Sequence, residues 1–133
     1  MTIGSAPVSA EVLSFFKIAL GIHIHEIYGQ TEAGPISGAK NFDPLAGHVG
    51  GIATTCKLRL KDIPEMQYYH TDNPPRGEIQ VYATTMFAGY FKNPEKTKET
   101  FDDGWISTGD VGIILPNGSI KIIDRAKNIF KLN

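Results

Sequence analysis

Residues 22–28 read Ile-His-Ile-His-Glu-Ile-Tyr, and this stretch decides the fold of the N-terminal part of the chain. Its alternation of isoleucine with polar residues is typical of a half-buried strand. A second, short strand is predicted at residues 1–3. Between the two strands, apolar residues recur at i, i+3, i+4, i+7 and i+8, which is the spacing of one helix face: Val12, Phe15, Phe16, Ala19 and Leu20. Strand, helix and strand in this order predict a βαβ unit, whose two strands must be parallel.

The ends of this helix carry their own signals. Ser9 suits the N-cap, Glu11 lies in the positive first turn, and Gly21 is placed to end the helix. Because a parallel sheet of two strands is not stable alone, we expect this unit to dock on a larger sheet. We therefore expect the chain to be a piece of a longer protein.

From residue 47 onward the pattern changes to short strands. Residues 57–61 and 78–82 alternate strictly, and residues 113–123 form a hairpin signal with Asn117-Gly118 at its tip. This spacing predicts a small antiparallel barrel or sandwich. One helix interrupts the strands after Asn93, a capping residue that precedes a proline.

Composition excludes several classes of protein. The chain has 133 residues, 41% hydrophobic and 20% charged, with a net charge of −1, as expected for one ordinary domain. The balanced charge gives no reason to expect a nucleic acid partner. The single cysteine, Cys56, excludes an internal disulfide framework and a multi-cysteine zinc site. No signal peptide is visible, so we expect a protein that is not secreted.

Three segments could carry chemistry. In residues 28–35 a strand runs into a polar loop that offers an aromatic ring, a hydroxyl and a carboxylate. Asp110 is predicted at a turn between two strands, where its carboxylate could accept hydrogen bonds from both hydroxyls of a ribose. Arg125, near the end of the chain, presents five fixed donors. Each segment alone is more often a plain loop, an Asx turn or a solvated chain end.

Taken together, these segments resemble in order and spacing the adenylate-forming superfamily, and most closely the long-chain fatty acyl-CoA synthetases. The motifs cover almost the whole chain: Gly4-Ser5-Ala6-Pro7, Tyr28-Gly29-Gln30-Thr31-Glu32, and residues 47–51, 77–79, 87–97, 103–105, 108–112, 123–125 and 127–132. Their number and shared order make the resemblance far more specific than any single motif. It implies a tail of a parallel-sheet subdomain (strand, helix, strand) followed by a small distorted antiparallel β-barrel subdomain, that is, α/β followed by mainly β.

The resemblance implies a two-step ligase. ATP and a fatty carboxylate give an acyl-adenylate and pyrophosphate, and the thiol of coenzyme A then gives a thioester and AMP. Mg²⁺ and placed donors neutralise the phosphate charge. Three alternatives remain: an aryl- or short-chain acyl-CoA ligase, an adenylation domain that charges a carrier protein, and a non-catalytic β-rich binding module.

The resemblance also implies roles for single residues. Tyr28 should stack on adenine, facing a wall made by the backbone of Gly4, Ser5, Ala6 and Pro7. Gly29 and Gln30 belong to the same nucleotide site. The expected catalytic residues are Thr31, which should bond the α-phosphate, and Glu32, which should hold Mg²⁺.

The C-terminal half should supply the remaining contacts. Asp110 should grip the ribose hydroxyls with help from Arg125. Lys127 matches the hinge about which a further C-terminal domain of the family rotates.

The implied organisation has three parts. Residues 1–46 end the α/β subdomain, residues 47–124 form the β-barrel subdomain, and residues 125–133 form the hinge. Because the phosphate loop and the catalytic lysine of the family do not occur in these 133 residues, we expect the isolated chain to be inactive. A cytoplasmic protein is expected, or one held peripherally on an organelle membrane through parts outside this chain.

Overall fold

The structure is a computed structural model that describes residues 1–6, 8–40 and 43–125. Its N-terminal part is a four-stranded sheet in the order β1-β2-β3-β4. The strands are β1 (Thr2–Ile3), β2 (His25–Gln30), β3 (Gly34–Gly38) and β4 (Gly51–Ile52). The pair β1–β2 is parallel, and the pairs β2–β3 and β3–β4 are antiparallel.

The predicted βαβ unit is confirmed. Helix α1 (Ala10–Leu20) connects the parallel strands. The side chain of Ser9 accepts a hydrogen bond from the Val12 amide at 3.3 Å, and Gly21 ends the helix with a left-handed φ of 59°. Strand β2 begins at His25 rather than at Ile22, and it continues to Gln30.

Helix α1 carries its predicted apolar face on its exposed side. Phe15 is 64% exposed and Leu20 is 57% exposed, whereas Leu13 on the other side is buried. Lys17 also faces the described chain, where its ammonium donates to the carbonyls of Asp43 and Leu45. The five residues that predicted the helix are therefore all exposed in the described part of the chain.

The second sheet is antiparallel, and it curls into a half-barrel. Its strands are β5 (Cys56–Lys61), β6 (Arg76–Ala83), β7 (Phe101–Asp102), β8 (Trp105–Ile114) and β9 (Ile120–Arg125). Their order is β5-β6-β8-β7, and β9 also pairs with β8. A 3-10 turn lies at Pro64–Met66, and helix α2 (Pro94–Thr100) precedes β7. The predicted fold class, α/β followed by mainly β, is confirmed.

Two local predictions in this half are also confirmed. Strands β8 and β9 form the expected hairpin, with Ile114 opposite Ile120 and Gly118 in the left-handed region at φ 79°. The side chain of Asn93 caps α2 by accepting from the Lys96 amide at 3.0 Å.

The two sheets share one hydrophobic core. Its buried members are Ala33 and Ile36 from the first sheet and its turn, and Ile79, Val81, Ile106 and Ile120 from the second sheet. Burying an isoleucine side chain contributes about 1.5–3 kcal/mol, so this cluster holds β3 and the turn before it against the second sheet. Strand β4 belongs to the predicted barrel subdomain, which begins at residue 47, yet it pairs with β3 of the first sheet. The predicted boundary between the two subdomains, at residues 46 and 47, stays a prediction.

Neither helix in the described part of the chain is long and apolar enough to cross a membrane.

Candidate functional site

The site begins where β2 turns into β3. The connection is a tight turn of Thr31, Glu32 and Ala33, because β2 runs through Gln30 and β3 resumes at Gly34. The polar loop predicted for residues 28–35 is therefore shorter than expected. A Cβ at Gly29 would lie 2.6 Å from the Gly34 carbonyl oxygen, so only glycine allows this close strand approach.

Asp110 was expected at a turn between two strands, and this prediction is wrong. Asp110 lies inside β8, at a bulge. Ser107 pairs with Gln80 and Val111 pairs with Glu78, so residues 108–110 oppose a single residue of β6.

The backbone conformation of Gly109 allows the bulge, and two hydrogen bonds to β6 stabilise it. Gly109 adopts φ 71°, a left-handed conformation that non-glycine residues rarely take. Its amide donates to the Glu78 carboxylate at 3.2 Å, and Thr108 Oγ1 donates to the Ile79 carbonyl at 2.8 Å. A Gly-Asp pair, which commonly forms turns, here bends a continuous strand, and bulges commonly re-aim a side chain.

Asp110 is the centre of a hydrogen-bond network that joins the two sheets. Its side chain is only 7% exposed. Oδ2 accepts from the Tyr28 hydroxyl at 2.7 Å and from Gln30 Nε2 at 2.9 Å, and Oδ1 accepts from Arg125 Nε at 3.1 Å. Gln30 Nε2 also donates to the Thr108 carbonyl at 2.8 Å. Four of the predicted site residues thus meet at one point.

Burial and charge keep the Tyr28 phenol protonated. Burial, and then the charge of Asp110, raise the pKa of the Tyr28 phenol well above its usual value, so the phenol stays a donor. Burial also raises the pKa of Glu78, against the opposing effect of the Gly109 amide. Arg125 is 68% exposed, so its ion pair with Asp110 contributes about 0–1 kcal/mol.

A cleft of about 590 Å³ lies beside the network. The predicted site residues that line it are Ser5, Gly29, Gln30, Thr31, Glu32 and Arg125. Residues without a predicted role also line it: Glu78, Tyr90, Lys96, Glu99, Thr100, Ser107, Thr108 and Gly109. A larger and more open depression of about 680 Å³ lies over residues 88–101 and contains none of the predicted site residues.

The predicted adenine wall is brought to the cleft only in part. Ser5 lines the cleft, with a left-handed φ of 75°. Gly4 lies against β2, where a Cβ would approach the Ile27 carbonyl oxygen to 2.8 Å. Ala6 is exposed and is not among the lining residues. The predictions for Pro7 and Lys127 lie outside the described residues.

Glu32 is held by a segment that no sequence signal connects to it. The hydroxyl of Tyr90, 58 residues away, donates to Glu32 Oε1, and this bond is the main cause that raises the pKa of Tyr90. The Phe87 amide donates to the Glu32 carbonyl at 2.8 Å. A pairing at this sequence separation has no periodic signature, so the sequence could not reveal it.

Glu32 suits a magnesium site in which the protein supplies few of the metal ligands. Among residues 1–6, 8–40 and 43–125, no group of three or more His, Cys, Asp or Glu side chains is arranged to hold a metal. Glu32 is therefore not part of a metal centre built from three or more protein ligands in this part of the chain. Mg²⁺ is commonly bound in this way, through one or two carboxylates, with substrate phosphates and waters as its other ligands.

Comparisons with known proteins show what the chain is similar to. The chain is 50% identical to "Long chain acyl-CoA synthetase 6, peroxisomal" of Arabidopsis thaliana, over 99% of this chain and 19% of that protein. It is 48% identical to "Long-chain-fatty-acid--CoA ligase 1" of Homo sapiens, again over 99% of this chain and 19% of that protein. The chain thus spans about a fifth of the length of these curated relatives.

A solved structure has the same fold. It is the A domain of a carboxylic acid reductase from Segniliparus rugosus in complex with AMP and a co-purified carboxylic acid. The likeness covers 96% of this chain and 19% of that one, with a TM-score of 0.82 and 36% sequence identity. The family described as "AMP-binding enzyme" matches residues 1–91. Since this match spans more than half of the 133 residues, the chain belongs to the family of AMP-binding enzymes.

Proposed function

We propose that this chain supplies part of the AMP site of an ATP-dependent long-chain fatty acid–CoA ligase. The contact between Tyr28 and Asp110 carries the proposal. These residues are 82 positions apart and lie in different sheets, yet a hydrogen bond of 2.7 Å joins them beside the cleft. An aromatic ring next to a buried carboxylate offers a stacking surface for a base and an acceptor for ribose hydroxyls.

The hydrogen-bonding capacity of Asp110 supports the ribose role. A carboxylate has about four acceptor positions, and the three donors described above leave one of them on Oδ1. Arg125 also bonds Oδ1, and its side chain is 68% exposed. It can therefore turn from Asp110 toward the ligand when a second hydroxyl binds.

The proposed reaction begins at the α-phosphate. A fatty carboxylate oxygen attacks the α-phosphorus, the bond to the β-phosphate oxygen breaks, and pyrophosphate leaves. The Thr31 hydroxyl donates to an α-phosphate oxygen, where charge must be stabilised. Mg²⁺ held by Glu32 would neutralise phosphate charge. The thiol of coenzyme A then attacks the acyl carbon, and AMP leaves.

The names of the relatives favour a long-chain acid. The Arabidopsis and human relatives are 50% and 48% identical, and both are named for long-chain substrates. This favours long-chain acids over aryl or short-chain acids and over a carrier-protein acceptor.

We also propose that residues 1–46, 47–124 and 125–133 belong to an α/β subdomain, a barrel subdomain and a hinge. The exposed apolar side chains of α1 support a further packing partner for the first part. Two relatives from Arabidopsis thaliana are named as peroxisomal. Peripheral association with an organelle membrane stays a prediction.

The proposal can be tested in a chimera in which this chain replaces the matching segment of the Arabidopsis relative. We expect palmitoyl-CoA formation that depends on ATP, Mg²⁺ and coenzyme A. Asp110→Ala should lower kcat/KM for ATP by at least about 10-fold, since a buried hydrogen-bonded charge is lost. Glu65→Ala, at an exposed acid of the 3-10 turn, is the matched control. A folded chimera that forms no thioester would refute the proposal, and one that prefers benzoate to palmitate would refute the long-chain assignment.

A further inference from the structure

We propose that Tyr90 is a positioning residue for Glu32. Its hydroxyl holds one oxygen of that carboxylate in place and leaves the other oxygen for a cation. The inference deepens the proposed function and rests on it, because the cation is the Mg²⁺ that accompanies ATP. Tyr90, from a distant part of the chain, would thus affect metal binding through the Glu32 carboxylate.

Tyr90 is well fixed. Its amide donates to Thr97 Oγ1 at 2.9 Å. Its ring packs edge-on against the ring of Phe87, with centroids 4.9 Å apart, and the Lys96 ammonium lies 4.5 Å from the ring centroid. A backbone bond, an aromatic contact and a cation–π contact therefore restrain the phenol.

Glu32 is fixed from the same side. The Phe87 amide donates to the Glu32 carbonyl at 2.8 Å, and Thr85 Oγ1 donates to the Ala33 carbonyl at 2.6 Å. With the Tyr90 hydroxyl, residues 85–90 contact the turn of residues 31–33 at three points. Backbone and side chain of Glu32 are thus held by one segment.

The chemistry explains why such a restraint matters. Among the described residues, Glu32 belongs to no group of three or more side chains that could hold a metal, so the orientation of its own carboxylate matters for metal binding. Hydrogen bonds from outer residues orient metal-binding carboxylates, and their loss typically lowers metal affinity about 10–100-fold. Tyr90 and Glu32 both line the cleft, so the restraint acts where the phosphates are expected.

Tyr90→Phe in the chimera tests the proposal because it removes the hydroxyl and keeps the ring contacts with Phe87 and Lys96. We expect the Mg²⁺ concentration for half-maximal ATP–pyrophosphate exchange to rise about 10-fold, with the KM for ATP at saturating Mg²⁺ unchanged. A second readout does not depend on turnover. Mn²⁺ binding in the presence of a non-hydrolysable ATP analogue, followed by electron paramagnetic resonance, should weaken by a similar factor.

Two further variants make the outcome specific. In a Glu32→Gln background, Tyr90→Phe should add no further loss of Mn²⁺ affinity, because the two groups act as one unit. Tyr82→Phe, at a 47% exposed tyrosine of β6, should leave the metal dependence unchanged. Unchanged Mg²⁺ and Mn²⁺ dependence in a folded Tyr90→Phe chimera would overturn the positioning role alone. An unsubstituted chimera without ligase activity would overturn the proposed function, and the positioning role with it.

Discussion

Replacing Tyr28 by phenylalanine separates the two roles proposed for this residue. The hydroxyl donates to Asp110 Oδ2 at 2.7 Å and thereby joins the two sheets. The ring is proposed to stack on adenine. Tyr28→Phe removes the first contribution and keeps the second, whereas Tyr28→Ala removes both.

The expected loss of stability follows from the acceptor. A hydrogen bond to a charged group contributes about 1.5–3 kcal/mol. Asp110 keeps its bonds from Gln30 and Arg125, so its carboxylate is not left unpaired and the loss should lie near the lower limit. A loss of about 1.5 kcal/mol corresponds to a fall in Tm of about 5 °C in a domain of this size.

The expected effect on nucleotide binding differs between the two variants. Stacking of a base on an aromatic ring contributes about 1–3 kcal/mol by alanine substitution, which is a factor of about 5–150 in Kd. Tyr28→Ala in the chimera should therefore weaken AMP binding by at least about 5-fold, while Tyr28→Phe should change it by less than about 2-fold. Displacement of a fluorescent nucleotide measures the affinity, and thermal unfolding of the 133-residue chain measures stability.

Two results would contradict this reasoning. If Tyr28→Phe weakens AMP binding as much as Tyr28→Ala does, the hydroxyl rather than the ring carries the nucleotide contact. If Tyr28→Phe leaves Tm unchanged, the bond to Asp110 does not hold the sheets together. Tyr82→Phe, at a 47% exposed position, should shift stability by no more than about 0.5 kcal/mol and serves as the control.

Two further predictions concern backbone strain and pH. Gly50→Ala should destabilise the chain by more than about 3 kcal/mol in urea unfolding, because φ is 76° and the new Cβ would lie 1.9 Å from the Gly38 carbonyl oxygen. Gly118→Ala, at φ 79° with nothing within 4 Å, should cost only about 1–2 kcal/mol, and equal losses would refute the steric argument. Burial raises the pKa of Glu78 above its ordinary value of 4.5, so its contribution to stability is fully present below that pH and is lost as pH rises through the raised value. Glu78→Gln should therefore reduce the loss of stability that occurs as pH rises above 4.5, whereas exposed Glu65→Gln should not. Identical pH profiles of the two variants would contradict the assigned cause.

Much of the local structure could be predicted because its signals are local. The caps at Ser9 and Asn93 and the hairpin tip at Asn117-Gly118 each involve hydrogen bonds or dihedral angles within a few residues. Any chain that carries these signals in solvent-exposed connections tends to form the same elements.

The position of Asp110 shows where local reasoning fails. A Gly-Asp pair suits a turn and a bulge equally well, since both need one residue with a left-handed backbone. The choice depends on the partner strand, because β6 continues past the pair and keeps β8 extended on both sides of it. The contact of Tyr90 with Glu32 depends in the same way on the folding of residues 85–97 back onto the first sheet. The family resemblance could therefore suggest which residues to propose for a nucleotide site, but the sequence could not show which residues hold their side chains in place.

The network around Asp110 also explains how a ligand site can exist at the junction of two sheets without weakening it. A buried carboxylate without partners would cost several kcal/mol, so the junction would be unstable before any nucleotide bound. Tyr28 and Gln30 supply internal donors from the first sheet, and these donors join the sheets in the absence of ligand. The two sheets are thus already joined before a nucleotide binds. A nucleotide that contacts both sheets would raise the free energy of unfolding further, by RT ln(1 + [L]/Kd). The same residues can therefore stabilise the fold and form the binding site, and this is why Tyr28→Phe should affect stability while leaving nucleotide affinity nearly unchanged.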